Sequence, residues 1–140
     1  MIEEAMHKLD IECRLGTAVV SVDAQGITTA DGGRIDAMTV VWTGGMRAQS
    51  LTEQVSDQRD NFGRLHVADD LRVPGAPGVF AAGDTAFAAT DEEGNHAMMA
   101  CQHAINMGRY AGHNVAADLL GMKTVNYRQP FYVTCLDLGS

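Results

Sequence analysis

Residues 78–84, Gly-Val-Phe-Ala-Ala-Gly-Asp, constrain this chain more than any other stretch. Val79 to Ala82 are small or apolar and predict a short buried strand. Gly83 ends it and lets the backbone turn and come close to a ligand. Asp84 then puts a carboxylate at the strand's carboxyl end. Ligands of open α/β sheets bind at that edge. A carboxylate there accepts hydroxyl hydrogen bonds, which suits a polyol or a ribose.

The remaining composition narrows the class. The chain has 140 residues with 46% hydrophobic and 20% charged, enough for one ordinary packed domain. Eighteen acidic against ten basic residues give a formal net charge of −8. Nucleic-acid binding needs a basic footprint, so it is excluded, as is direct attraction of this part to anionic lipid. No apolar run is long enough for a transmembrane helix, and the acidic, amphipathic N-terminus is no signal peptide. Cys13, Cys101 and Cys135 are widely spaced and odd in number, which predicts free thiols in a reducing compartment, each a small buried hydrophobe. No His or Cys spacing fits a metal site. Met98, Met99, Met107 and Met122 read as core filler.

Along the chain, residues 2–9 predict an amphipathic helix end. Strands follow at 11–15, 18–22 and 27–30, with a hairpin turn at Asp31-Gly32-Gly33. Met38 to Trp42 is apolar throughout and predicts a central strand buried on both faces. Thr43 and Gly44 end it, where backbone can approach a ligand. Residues 46–60 read as a loop with a short helical turn, 61–64 as a turn, and 65–67 and 71–73 as short strands. Thr90 to Asn95 is an exposed acidic loop. A long helix is predicted over 97–120, with Asn95 as its N-cap and Gly121 as its stop. Its packed face is expected to be Ala97, Cys101, Ala104, Gly108, Ala111, Val115 and Leu119, and its exposed face Asn106, Arg109, His113, Asn114 and Asp118. Extended structure returns over 127–138.

The order of these segments resembles type II NADH dehydrogenases (NADH:quinone oxidoreductases) and related pyridine-nucleotide flavoprotein reductases. The segments that carry the resemblance are Trp42-Thr43-Gly44, Gly63-Arg64-Leu65-His66-Val67, Leu71-Arg72-Val73-Pro74-Gly75, Val79 to Asp84 and the small-residue helix, spanning about Leu9 to Gly139. The resemblance implies an α/β fold, part of a two-dinucleotide-binding-domain flavoprotein. Residues 1–46 would be the C-terminal part of the NAD(P)H-binding domain and 47–140 that of the FAD-binding domain. Both glycine fingerprints, which hold pyrophosphates, would lie upstream in a longer reductase. A membrane-attachment segment would follow Ser140, and the full-length protein would be cytoplasmic and peripheral to the membrane.

Roles carry over residue by residue. Thr43 and Gly44 match the small residues beside NAD(P)H, and Gly83 and Asp84 match the contact to the FAD ribityl chain. Cys101-Gln102-His103-Ala104 matches the start of the helix facing the flavin, where the family usually has Ala-Gln-Val-Ala. That helix N-terminus would offer N–H groups to the flavin edge. Gln102 matches a glutamine near flavin and quinone, and Asn106 stands where a second glutamine is common. The implied activity is hydride transfer from NADH to FAD, with electrons passing to a quinone. A sulfide- or disulfide-handling flavoprotein using Cys101 or Cys135 is one alternative, and a non-enzymatic dimerisation module is another. Sheet edges and an apolar face left uncovered predict self-association of the isolated chain.

Overall fold

The computed structural model describes residues 2–134, so the predictions for Cys135 to Gly139 lie outside the described residues. The residues form two compact units, one of 2–44 with Thr134 and one of Gly45–Val133.

The first unit opens with helix α1 (Ile2–Lys8), whose acidic first turn and basic last turn suit the helix dipole. Strands β1 (Val19–Asp23), β2 (Gly26–Thr29) and β3 (Arg34–Asp36) form an antiparallel sheet in that order. Both of its turns are set by aspartates. Asp23 Oδ1 accepts from the Gln25 N–H at 2.8 Å, and Asp31 Oδ1 accepts from the Gly33 N–H at 3.1 Å. Gly26 is buried at φ 146°, and a Cβ there would fall 2.1 Å from the Ile35 carbonyl oxygen, so only glycine fits. Across the sheet, Arg34 grips both Asp23 oxygens at 2.8 and 2.9 Å. The Arg34 guanidinium holds the Asp23 carboxyl down at about 2.

Two predicted strands of this unit do not form. Residues 11–15 are irregular, and Met38 to Trp42 is irregular with Met38, Val41 and Trp42 exposed. Among the described residues no strand lies beside either segment. An apolar run without a neighbour leaves its backbone groups unpaired, so composition alone does not make it a strand.

The second unit has a core of Leu65, Leu71, Val73, Ala81, Ala86, Ala88, Ala97, Met107 and Tyr127. Strands β4 (Leu65–His66) and β5 (Ala86–Phe87) pair in parallel. Residues 71–73 and 79–81 do not become regular strands. They face each other through one antiparallel bridge, Arg72 with Phe80, and through Val73 N–H to Val79 O and Ala81 N–H to Leu71 O. Leu71 accounts for the irregularity: it sits fully buried at φ 68°, a left-handed conformation. That costs roughly 1–2 kcal/mol, which burying its side chain, at roughly 1.5–3 kcal/mol, offsets.

Helix α2 spans Cys101–Leu119. It starts later than 97 because Asn95 is spent on the acidic loop, donating to Asp91 Oδ2 at 2.7 Å. Ala100 occupies the N-cap position with no side-chain cap bond. Gly121 stops the helix at φ 65°, with its N–H on Asp118 O and the Met122 N–H on Ala117 O. The buried residues of α2 are His103, Met107, Asn114 and Ala117, with Tyr110 and Ala111 partly buried against the core. The packed stripe is therefore rotated from the expected small-residue face, and Cys101, Gly108, Val115 and Leu119 are exposed. Larger groups reach further into the core than alanine and glycine do, and they decide which face turns inward. Met107 alone of the four methionines is core, while Met98 and Met122 are exposed. Cys13 and Cys101 are free thiols but exposed rather than buried.

Candidate functional site

Gly83–Thr85, a single 3-10 turn, follows the apolar run Val79 to Ala82 directly. Gly83 has φ 69°, and a Cβ there would meet the Ala104 Cβ of α2 at 3.5 Å. That is ordinary contact, so the backbone angle is what demands glycine. The turn is braced by Thr85 Oγ1 donating to Ala82 O at 3.0 Å. It delivers Asp84 beside the first turn of α2. Among the described residues, Asp84 Oδ1 is the one buried side-chain nitrogen or oxygen without a hydrogen-bond partner. Buried polar atoms are almost always paired, and an orphan is a place where a water, an ion or a ligand donor completes the pairing. With Ala100 giving no cap bond, the first N–H groups of α2 also lack a side-chain acceptor. A carboxylate oxygen seeking donors and backbone donors seeking acceptors thus lie against the same turn. A molecule with both hydroxyls and an electron-rich edge can satisfy both.

Gln102 is exposed, as a plain surface residue would be, yet its amide is engaged. Nε2 donates to Val133 O at 2.5 Å and Oε1 accepts from the Val133 N–H at 3.3 Å. Residues 127–133 therefore run along the start of α2 held by a side chain instead of a strand, and Phe131 and Val133 stay exposed. His103 is buried, with Nδ1 at 3.1 Å from Tyr127 Oη and its ring stacked on Tyr132 at 5.4 Å. Burial lowers the His103 pKa below its ordinary value. Burial, with Tyr110 adding to it, pushes Tyr127 up to about 12. Asn106 is half-buried on α2, between His103 and Met107 in height along the helix.

Thr43 and Gly44 belong to the first unit and are exposed. The Trp42 indole lies over Gly44, where a Cβ would come within 2.5 Å of Cζ2.

Three features of the second unit escaped the sequence reading. Asn114 is fully buried, donating to Asp70 O and Val125 O at 2.8 Å each and accepting from the Val125 N–H at 2.9 Å. Arg64 is buried against Asp60 at 2.7 Å, donates to Ala97 O at 2.7 Å, and lies over the Phe87 ring. Burial pushes the Asp60 carboxyl up, but the N–H groups and guanidinium of Arg64, with the Phe62 N–H, outweigh it and leave Asp60 below the usual carboxylate range. Tyr127 is the third, a core residue that anchors the returning chain. The signal for the helix residues was present: His103, Met107, Tyr110, Asn114 and Ala117 also repeat at fours and threes.

The family model described as pyridine nucleotide-disulphide oxidoreductase matches residues 1–108. The chain belongs to this family. Within it, the chain is 50% identical over 140 residues to an NADH dehydrogenase-like protein of Mycobacterium tuberculosis, covering all of this chain and 35% of that protein. A type II NADH:quinone oxidoreductase of the same organism is 34% identical over 134 residues, covering 90% of this chain and 27% of its own length. A type II NADH:quinone oxidoreductase of Staphylococcus saprophyticus is 28% identical over 147 residues, covering this chain and 36% of that enzyme. The chain thus spans about a third of the length of the curated relatives it matches. Among the described residues no helix is long and apolar enough to cross a membrane.

Proposed function

We propose that this chain forms part of an FAD-dependent NAD(P)H oxidoreductase with a quinone as electron acceptor. The observation that carries the reading is the buried, unpaired Asp84 oxygen beside the uncapped start of α2. Asp84 would accept hydroxyl hydrogen bonds from the ribityl chain of FAD, and Gly83 lets the chain turn without a side chain in the way. The N–H groups at Cys101, Gln102 and His103 would face the electron-rich edge of the ring, where the positive end of the helix favours negative charge. When bound, flavin supplies the two-electron relay between nicotinamide and acceptor. Thr43 and Gly44 would border the nicotinamide cofactor, and Gln102 and Asn106 the quinone. The relatives' names, NADH dehydrogenase-like and type II NADH:quinone oxidoreductase, support the donor and acceptor assigned here. We place the full-length protein on the cytoplasmic side, peripheral to the membrane.

Titration of the purified chain with FAD, followed by quenching of flavin fluorescence, tests the cofactor edge. Saturable binding lost in Asp84→Ala supports it, and equal binding by both proteins contradicts it. The isolated chain is also expected to self-associate through exposed apolar groups such as Met38, Val41 and Trp42. Sedimentation velocity should show a species heavier than the 15.0 kDa monomer. A single monomer peak at all concentrations would refute that.

A further inference from the structure

The first turn of α2 is tied to the returning chain by a closed ring of hydrogen bonds, and one backbone oxygen fixes the direction of the whole ring. The Gln102 carbonyl can only accept, so Gln129 presents its amide nitrogen to it, at 3.5 Å. Gln129 Oε1 then faces Tyr127 and accepts the phenolic proton at 3.1 Å. With that proton committed, the 3.1 Å contact between Tyr127 Oη and His103 Nδ1 needs the proton to sit on Nδ1. His103 is thereby held with a proton on Nδ1. The ring closes through the Gln102–His103 peptide bond. Tyr132 stacks on the imidazole, with 9° between the planes, and its neighbour Val133 makes the two bonds to the Gln102 side chain.

We propose that His103, Tyr127 and Gln129 are positioning residues that hold the Gln102 side chain in one orientation at the candidate flavin and quinone site. The placement of Gln102 at a ligand rests on the function proposed above, whereas the clasp does not. His103 and Tyr127 are buried, at 3% and 1% exposed, while Gln129 is half-buried and Gln102 lies at the surface. Filling that volume needs no polar atoms, and an apolar pair of the same shape would do so at no cost in buried dipoles. What the polar ring adds is direction. Each member orients the next, and the last bond lands on the main chain of Gln102, while Tyr132 fixes the residue that reads its amide.

The test is nitrogen-15 spectroscopy of the intact 140-residue chain. Long-range proton–nitrogen correlations report the His103 tautomer, and exchange of the Gln102 side-chain amide reports how firmly it is held. Wild type is expected to show Nδ1–H at His103. Tyr127→Phe keeps the packed ring and removes the hydroxyl. It should move His103 to the commoner Nε2–H tautomer and speed Gln102 amide exchange about tenfold. Gln129→Glu preserves an acceptor for Tyr127 but removes the donor to the Gln102 carbonyl. It should keep the tautomer and still loosen Gln102, and because Gln129 is only half-buried this variant does not depend on a core change. An Nε2–H tautomer in wild type, or Gln102 exchange unchanged in both variants, overturns the proposal. FAD titration of the same samples separates the two ideas: failure of wild type to bind flavin with the tautomer pattern intact removes the functional reading and leaves the clasp.

Discussion

Asp84 keeps one carboxylate oxygen buried without a donor, a destabilising feature that the proposed function explains by a ligand completing the site. Removing that oxygen should therefore help the free protein while harming binding. Asp84→Ala is expected to raise the unfolding free energy of the ligand-free chain by about 1 kcal/mol in urea. A loss of stability would mean that the oxygen is satisfied in solution and the site is not poised for a ligand. The turn that carries Asp84 was legible in the sequence because its geometry is local. Gly83 and Asp84 are adjacent, and the glycine's backbone angle and the aspartate's place after an apolar run need no distant information. Tyr127 was not legible, because the His103 ring that gives its hydroxyl a purpose lies 24 positions away. His103 itself was named as a cofactor neighbour, while its bond to Tyr127 could be seen only in three dimensions.

Helix α2 shows the same division one level up. Its existence and its glycine stop follow from periodicity and from Gly121, and both are observed. Its start and its inward face do not follow, since Asn95 has a closer partner in Asp91 and the stripe through Asn114 packs in place of the alanine stripe. A polar residue on a helix reads as exposed unless its partners are known, and those of Asn114 are main-chain atoms of residues 70 and 125. Asn114 thus behaves as a piece of backbone that joins the helix to two loops. Asn114→Ala should cost about 3 kcal/mol in urea unfolding, because three main-chain groups lose their shared partner together. A cost within about 0.5 kcal/mol, the size of an ordinary surface change, would refute that role. The predicted strand at Met38 to Trp42 failed for the complementary reason. A strand is a relation between neighbours, and the described residues place none beside it.

For the molecule as a whole, two buried titratable groups, His103 and Tyr127, each make stability depend on pH, on opposite sides of neutrality. His103 has a lowered pKa, so the unfolded chain takes up its proton first as the solution is acidified. Stability is full above the unfolded histidine value of about 6.5 and falls as pH drops below it. Among the described residues, the rings of Tyr127 and Tyr132 pack against that imidazole. Tyr127 works in the opposite direction. With its pKa at about 12, the unfolded chain loses the phenolic proton first, so stability falls as pH rises from about 10 toward that value. Urea midpoints measured from pH 4 to 11 should show both declines, and His103→Phe should flatten the acidic one. An acidic limb unchanged by that substitution would assign it to other groups.

Family membership and the Gly83–Asp84 turn converge on one claim, that this part of the chain forms an FAD edge. The direct measurement is FAD affinity of the wild-type chain against Asp84→Ala and the isosteric Asp84→Asn, with circular dichroism to establish folding. The account predicts saturable binding by wild type and a loss of about tenfold or more in both variants, since neither keeps the carboxylate that accepts from ligand hydroxyls. Folded variants that bind FAD as tightly as wild type would contradict it.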